Sequence, residues 1–140
     1  MSKFYSPNQA NDFLPEIKRR FNRIIENRGK IVMIQNDLNS IVSENQSFKI
    51  FFDKKIELNK TISSLYKEIE ELEEFGVLIK SLDEGLIDFP SVRFNEEVWL
   101  CWNIGEEKIR FWHRKNEGFI GRKPLSVKGT YNEDNLEDLR

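Results

Sequence analysis

Apolar residues return along the first third of the chain at helical spacing. Ala10, Leu14, Ile17, Phe21, Ile24, Ile31, Leu38 and Val42 alternate steps of four and three, and only Arg28 and Gln35 interrupt the series. A repeat of that period lays its apolar side chains along one stripe of an α-helix, as in a coiled-coil seam. Phe13, Ile25, Val32, Ile34 and Ile41 widen the stripe beyond what one partner helix covers. The start is marked by Ser6 as N-cap, Pro7 at the first helical position and Gln9 three residues after Ser6, the pattern of a capping box. Pro15 is expected to kink this helix or split off a short first piece, because it lacks a backbone donor and crowds the carbonyl four residues back.

A second stripe follows the polar stretch SENQS, with Phe48, Phe51, Leu58, Ile62, Leu65, Ile69 and Leu72 on one side, until Gly76 offers a left-handed cap. The short connection predicts an antiparallel helical hairpin over residues 7–76. A turn near Asn45 sets the basic run Lys18, Arg19, Arg20, Arg23 against the acidic run Glu68, Glu70, Glu71, Glu73, Glu74. The basic run then reads as an intramolecular partner for the acidic one rather than as a nucleic-acid patch. Two helices cannot bury so wide a stripe, so the rest must pack on the following segment or on a second copy, and a homodimer through the hairpin is expected. Arg28 and Gln35 at seam positions suit a register-fixing role, and equally suit solvated side chains.

From residue 77 the period changes to two. Strands are expected at Val77–Lys80, Leu86–Phe89, Val98–Ile104 and Ile109–His113, the last two joined through Gly105, Glu106, Glu107 and Lys108. Pairing Ile104 with Ile109 places Val98, Leu100, Trp102, Ile104, Ile109, Phe111 and His113 on a core face. Trp99, Cys101, Asn103, Arg110, Trp112 and Arg114 fall on the opposite face. The expectation is a single α+β domain over residues 1–125: a long coiled-coil-like hairpin, then a small, mostly antiparallel β unit at 77–125. The polar, acidic stretch 126–140 is read as a poorly ordered tail.

Composition narrows the functional classes. A net charge of -2 over 140 residues argues against nucleic-acid binding through bulk positive charge, and leaves only a local basic patch open. No stretch approaches the roughly 18 apolar residues of a membrane span, and the N-terminus has no secretory apolar region. One cysteine cannot form an internal disulfide, which fits a reducing cytoplasm.

The chemistry gathers between Gly85 and Pro124, which hold all three Trp, the only Cys and the only His. Cys101, His113, Asp88 and Glu106 are the available metal ligands. The register above turns Cys101 and His113 to opposite sheet faces, and no paired C-x-x-C spacing exists, so no metal and no cofactor is expected. Asp88 at one strand end and His113 at another could form a carboxylate–imidazole pair with Arg122 nearby, either as a proton-transfer site or as a structural hydrogen bond. Gly118 to Lys123 reads as an anion cradle centred on Arg122, or as a turn with Arg122 bonded to Glu106 or Asp88. Glu106 is a solvated turn carboxylate, or a partner for Arg122 or a ligand.

The segments FYSPNQANDFLP, GLIDFP, VWLCWNIGE, FWH and GFIGRKP resemble an uncharacterised prokaryotic family known only as a domain of unknown function. Its members show F-T-x-x-E-A-N-x-x-L-P at the start and G-L-x-D-F-P, L-C-W-x-x-G-E, F-W-H and G-F-x-G-R-x-P at the end. The resemblance spans roughly Phe4 to Pro124, with Gln9 standing where the family more often has Glu. It implies a shared fold and a shared surface, and no particular reaction. From the residues, the expected function is a binding or adaptor module that presents Trp99, Arg110, Trp112, Arg114 and Arg122 to a protein, a nucleotide or other small anionic ligand, or, less expected, a single-stranded nucleic acid, through stacking and local positive charge. The alternative is a small enzyme or anion-binding protein built around Asp88, Glu106, His113 and Arg122.

Overall fold

The computed structural model describes residues 3–125, two long helices followed by a five-stranded antiparallel sheet. The acidic stretch 126–140 lies outside the described residues. Helix α1 spans Pro7–Ser43 and helix α2 spans Phe48–Glu73. The capping box forms at the start of α1: Ser6 N–H donates to Gln9 Oε1 at 3.0 Å, and Gln9 N–H donates to Ser6 Oγ at 3.1 Å. Pro15 does not split the helix, which continues as one element through it. Leu14 and Ile17, either side of the proline, are both buried, and this packing offsets the one lost backbone bond. Between the helices Asn45 takes a left-handed conformation at φ 53° and Ser47 Oγ caps α2 by accepting from Ile50 N–H. Gly76 closes α2 as expected, with φ 89° and its N–H bonded to the Glu73 carbonyl at 2.9 Å.

The chain packs as two compact units, residues 19–72 and the N-terminal segment to Lys18 together with the part from Glu73 onward. The first is the helical hairpin. Ile34, Leu38 and Leu58 are buried at its centre, with Ile31, Phe51 and Ile62 against them. The strict heptad reading misplaces the stripe towards the turn, since Ile41 is buried while Val42 is 62% exposed. The basic and acidic runs do meet: Arg23 Nε lies 3.9 Å from Glu68 Oε2, and Asn27 Nδ2 donates to Glu68 Oε1.

In the second unit the strands β1 Leu78–Ser81, β2 Leu86–Arg93, β3 Glu96–Asn103, β4 Phe111–Arg114 and β5 Lys123–Pro124 form a meander in sequence order. β2 runs longer than its hydrophobic pattern suggests and turns into β3 through Phe94 and Asn95. Both have positive φ (51° and 62°), the twist a two-residue hairpin requires. The face bearing Phe89 and Ser91 receives the N-terminal segment. Tyr5 N–H donates to the Pro90 carbonyl at 2.8 Å, Ser91 Oγ donates to the Tyr5 carbonyl at 2.6 Å, and the Tyr5 ring meets Phe89 edge-on at 5.4 Å. The Tyr5 hydroxyl donates to the Phe75 carbonyl, and burial pushes its pKa up.

The β3–β4 register departs from the expected one by a single residue. Val98 pairs with Arg114, Trp99 with His113, Leu100 with Trp112 and Cys101 with Phe111. Ile109 cannot pair with Ile104, because the Asn11 side chain holds both of its backbone groups. Ile109 N–H donates to Asn11 Oδ1 at 2.8 Å, and Asn11 Nδ2 donates to the Ile109 carbonyl at 3.2 Å. Ile104 N–H bonds instead to the Gly85 carbonyl at 2.9 Å. A slip of one residue reverses every β4 side chain relative to β3. Trp112 and Arg114 therefore lie on the side of Leu100 and Trp102, and Phe111 and His113 on the side of Trp99 and Cys101.

Candidate functional site

The corrected register puts Asp88, Cys101 and His113 on one face of three adjacent strands. Asp88 and Cys101 are direct cross-strand partners, and Phe111, two residues before His113 on β4, faces Cys101. The expectation that Cys101 and His113 point apart is overturned, and with it the ground for dismissing a shared ion. All three side chains are buried, Asp88 at 0% exposure and His113 at 1%.

His113 Nε2 lies 3.2 Å from Asp88 Oδ1, so the carboxylate–imidazole pair anticipated from sequence exists, inside the sheet rather than at its rim. His113 Nδ1 lies 2.9 Å from the Arg114 carbonyl. A carbonyl only accepts, so Nδ1 carries the proton and Nε2 is the nitrogen turned to Asp88. Asp88 Oδ2 is buried and has no hydrogen-bond partner among the described residues. Burial raises the Asp88 pKa, opposed by the nearby imidazole. Burial, reinforced by the Asp88 carboxylate, pushes the Cys101 thiol up to about 12.

Glu106 and Arg122 form a second cluster. Arg122 Nη2 donates to Glu106 Oε1 and Oε2 at 2.7 and 2.8 Å and to the Cys101 carbonyl at 3.2 Å. Its guanidinium lies 4.1 Å from the Phe111 ring centre and 4.4 Å from that of Phe119. Glu106 also accepts from Asn103 N–H at 2.7 Å, and its carbonyl accepts from Trp102 Nε1–H at 2.9 Å. The glycine-flanked turn at Gly118 to Lys123 thus spends its arginine on an internal carboxylate. Lys123 Nζ likewise bonds to Glu117 at 2.8 Å.

The five residues expected to form a contact surface divide. Trp112 is buried, ringed by Arg93 at 4.9 Å, Lys123 at 5.1 Å and Arg114 at 5.4 Å from its ring centre. Arg114 reaches Glu96 at 3.4 Å. Arg110 is exposed and Trp99 half-buried. Trp99 borders a hollow of about 240 Å³ with Lys3, Phe4, Gly76, Pro90, Glu97 and Lys115. The sequence reading missed Phe4 and Lys115. Phe4 sits before the helix start and signals nothing by periodicity, whereas Lys115 is the next residue after a strand already recognised.

A helical hairpin followed by a five-stranded antiparallel meander, with a buried Asp–Cys–His cluster on the sheet, defines an α+β protein. The chain belongs to the family described as "Uncharacterized conserved protein (DUF2203)", whose model matches residues 3–125. No curated protein and no solved structure matches the chain. Among the described residues no helix is long and apolar enough to cross a membrane.

Proposed function

We propose that this protein is a binding module whose helical hairpin associates with a second copy of itself. The observation that carries this reading is an outward row of large apolar side chains beside the hairpin turn. Phe48, Phe52 and Ile56 follow at intervals of one helical turn on α2, exposed to 75%, 50% and 39%. The Phe48 and Phe52 rings stack on each other at 5.9 Å. A row at this spacing is what another helix requires for packing, and an apolar patch of this kind marks an interface. Lys49 and Asp53, beside the row, pair with each other at 2.9 Å. Sedimentation equilibrium on the full chain tests this. A dimer at micromolar concentration that Phe48→Glu with Phe52→Glu converts to monomer supports the reading, and a monomer throughout the range overturns it.

A second contact surface is favoured by the hollow at Trp99. Pro90 and Trp99 stand opposite each other on β2 and β3, Phe4 is exposed beside them, and Lys3 and Lys115 line the same hollow. Lys115 is paired with Glu97 at 2.6 Å in the same hollow, which leaves Lys3 as the cation at its edge, so the apolar floor suits a peptide with an aromatic anchor and a neighbouring acidic residue. Titrating such peptides while following the Trp99 indole N–H signal is the test; an unmoved signal removes this surface. The acid–base reading is less well supported, because Asp88 and His113 are sealed from solvent and Glu106 occupies the fork of Arg122.

A further inference from the structure

Three strands contribute one side chain each to a single buried point: Asp88 from β2, Cys101 from β3 and His113 from β4. A carboxylate oxygen, the sulfur and an imidazole nitrogen all lie within 4.8 Å of one another. We infer that this cluster is a structural site for a divalent transition ion of the zinc type, held by Asp88, Cys101 and His113. The inference does not depend on self-association of the hairpin.

The geometry is that of a site needing small adjustment. Zinc bonds of about 2.0–2.3 Å in a tetrahedron hold ligand atoms roughly 3.3–3.8 Å apart. His113 Nε2 and Asp88 Oδ1 are already at 3.2 Å, and the remaining separations do not exceed 4.8 Å. The bond from Nδ1–H to the Arg114 carbonyl orients the ring so that Nε2 faces the cluster, where a metal ion would take the place of the proton shared with Asp88 Oδ1. Metal-binding histidines are held in this way by an outer partner.

Electrostatics and donor chemistry agree. Asp88 Oδ2 is buried with no hydrogen-bond partner among the described residues, a costly state that a cation relieves, and as the second oxygen of the carboxylate it is the fourth donor that a site closed to water needs. A dication with one carboxylate, one thiolate and one neutral imidazole sums to zero charge, which suits a site closed to water. A mixed sulfur, nitrogen and oxygen set selects zinc-like ions over calcium or magnesium, which take oxygen. Binding forms the metal–sulfur, metal–nitrogen and metal–oxygen bonds and releases to the buffer both the thiol proton and the proton shared by His113 Nε2 and Asp88 Oδ1, with no change of oxidation state.

The test uses the full chain, unfolded in denaturant with a chelator and refolded with or without Co²⁺ or Zn²⁺. Cys101 is the only cysteine, so a thiolate-to-cobalt charge-transfer band reports this residue without any variant. The expected result is one Co²⁺ per chain, that band with tetrahedral ligand-field absorption, and a higher Tm with Zn²⁺ than without. At free zinc of 100 Kd the folded-to-unfolded ratio should rise about 100-fold. Cys101→Ser should lose the band, and if that variant does not fold the wild-type result decides. Refolded wild type with no charge-transfer band, or with a band but no rise in Tm, overturns the site.

Discussion

Arg122 grips both carboxylate oxygens of Glu106 from one guanidinium nitrogen, at 2.7 and 2.8 Å, with only 12% and 24% of the two side chains exposed. The pair joins the turn after β3 to the entry of β5, and around it Phe111 and Phe119 stack on the guanidinium. A carboxylate so placed also ends β3, because it takes the Asn103 N–H that would otherwise continue the ladder.

Removing either partner leaves a mostly buried charge without its counterpart. Arg122→Ala and Glu106→Ala should each lower unfolding free energy by about 2–4 kcal/mol, shifted below the roughly 3–5 kcal/mol of a fully buried pair because both groups keep some solvent. The double variant should cost clearly less than the sum. Urea denaturation of the four proteins checks this, and additive losses would show that the two side chains act independently.

Cys101 should be inert in the folded, metal-free protein. Its side chain is 1% exposed and packed on the sheet face beside Asp88 and His113. A thiol reagent then reacts only through opening of the β unit, so the labelling rate should rise with urea in parallel with global unfolding. Rapid labelling in native buffer would show that the cluster opens locally.

Much of the fold was legible in the chain: the capping box at Ser6 and Gln9, the glycine cap at Gly76, both helices and the antiparallel strands are local patterns with local causes. The Asp88–His113 pair and the alternative bonding of Arg122 to Glu106 were also foreseen as candidates. The strand register was not, because a residue 98 positions away decides it. Asn11 occupies both backbone groups of Ile109, and no pattern within β3 or β4 carries that information. The error was one residue; the observed register sets His113 on the face of Cys101 and carries Trp112 to the face of Leu100, and both side chains are buried. Asn11, Glu106 and Arg122 all sit in segments the family resemblance picked out, and here they bond within the protein, which gives those motifs a structural reason.

Glu117 should confer a pH dependence of its own. Its carboxylate accepts from Lys123 Nζ at 2.8 Å and from Arg114 N–H at 3.0 Å, and these bonds, that to Lys123 first, hold its pKa below the ordinary value of 4.5. A group whose folded pKa is depressed contributes stability that is complete above the unfolded value. That contribution is lost as pH falls through the folded one. Glu117→Gln should therefore narrow the stability difference between neutral and acid pH, seen as a flatter plot of Tm against pH below the ordinary carboxylate range. An unchanged acid slope would show the bonds to be absent in solution.

Two glycines should respond to alanine with opposite signs. Gly85 enters β2 with φ 69°, and a Cβ there would stand 2.6 Å from Ile104 Cγ2 and 3.1 Å from Ile104 Cβ. Ile104 cannot retreat freely, since its N–H is bonded to the Gly85 carbonyl. Left-handed backbone costs a non-glycine residue about 1–3 kcal/mol, and the clash adds to it. Gly29 lies in the interior of α1, with nothing within 4 Å of where its Cβ would stand. Gly29→Ala should stabilise by about 0.5–1 kcal/mol, because alanine loses less conformational entropy in a helix. The comparison separates backbone conformation from helix propensity within one chain. If Gly85→Ala proved neutral, the close approach of β2 to Ile104 would be wrong, and with it the β2–β3 register that sets Asp88 opposite Cys101.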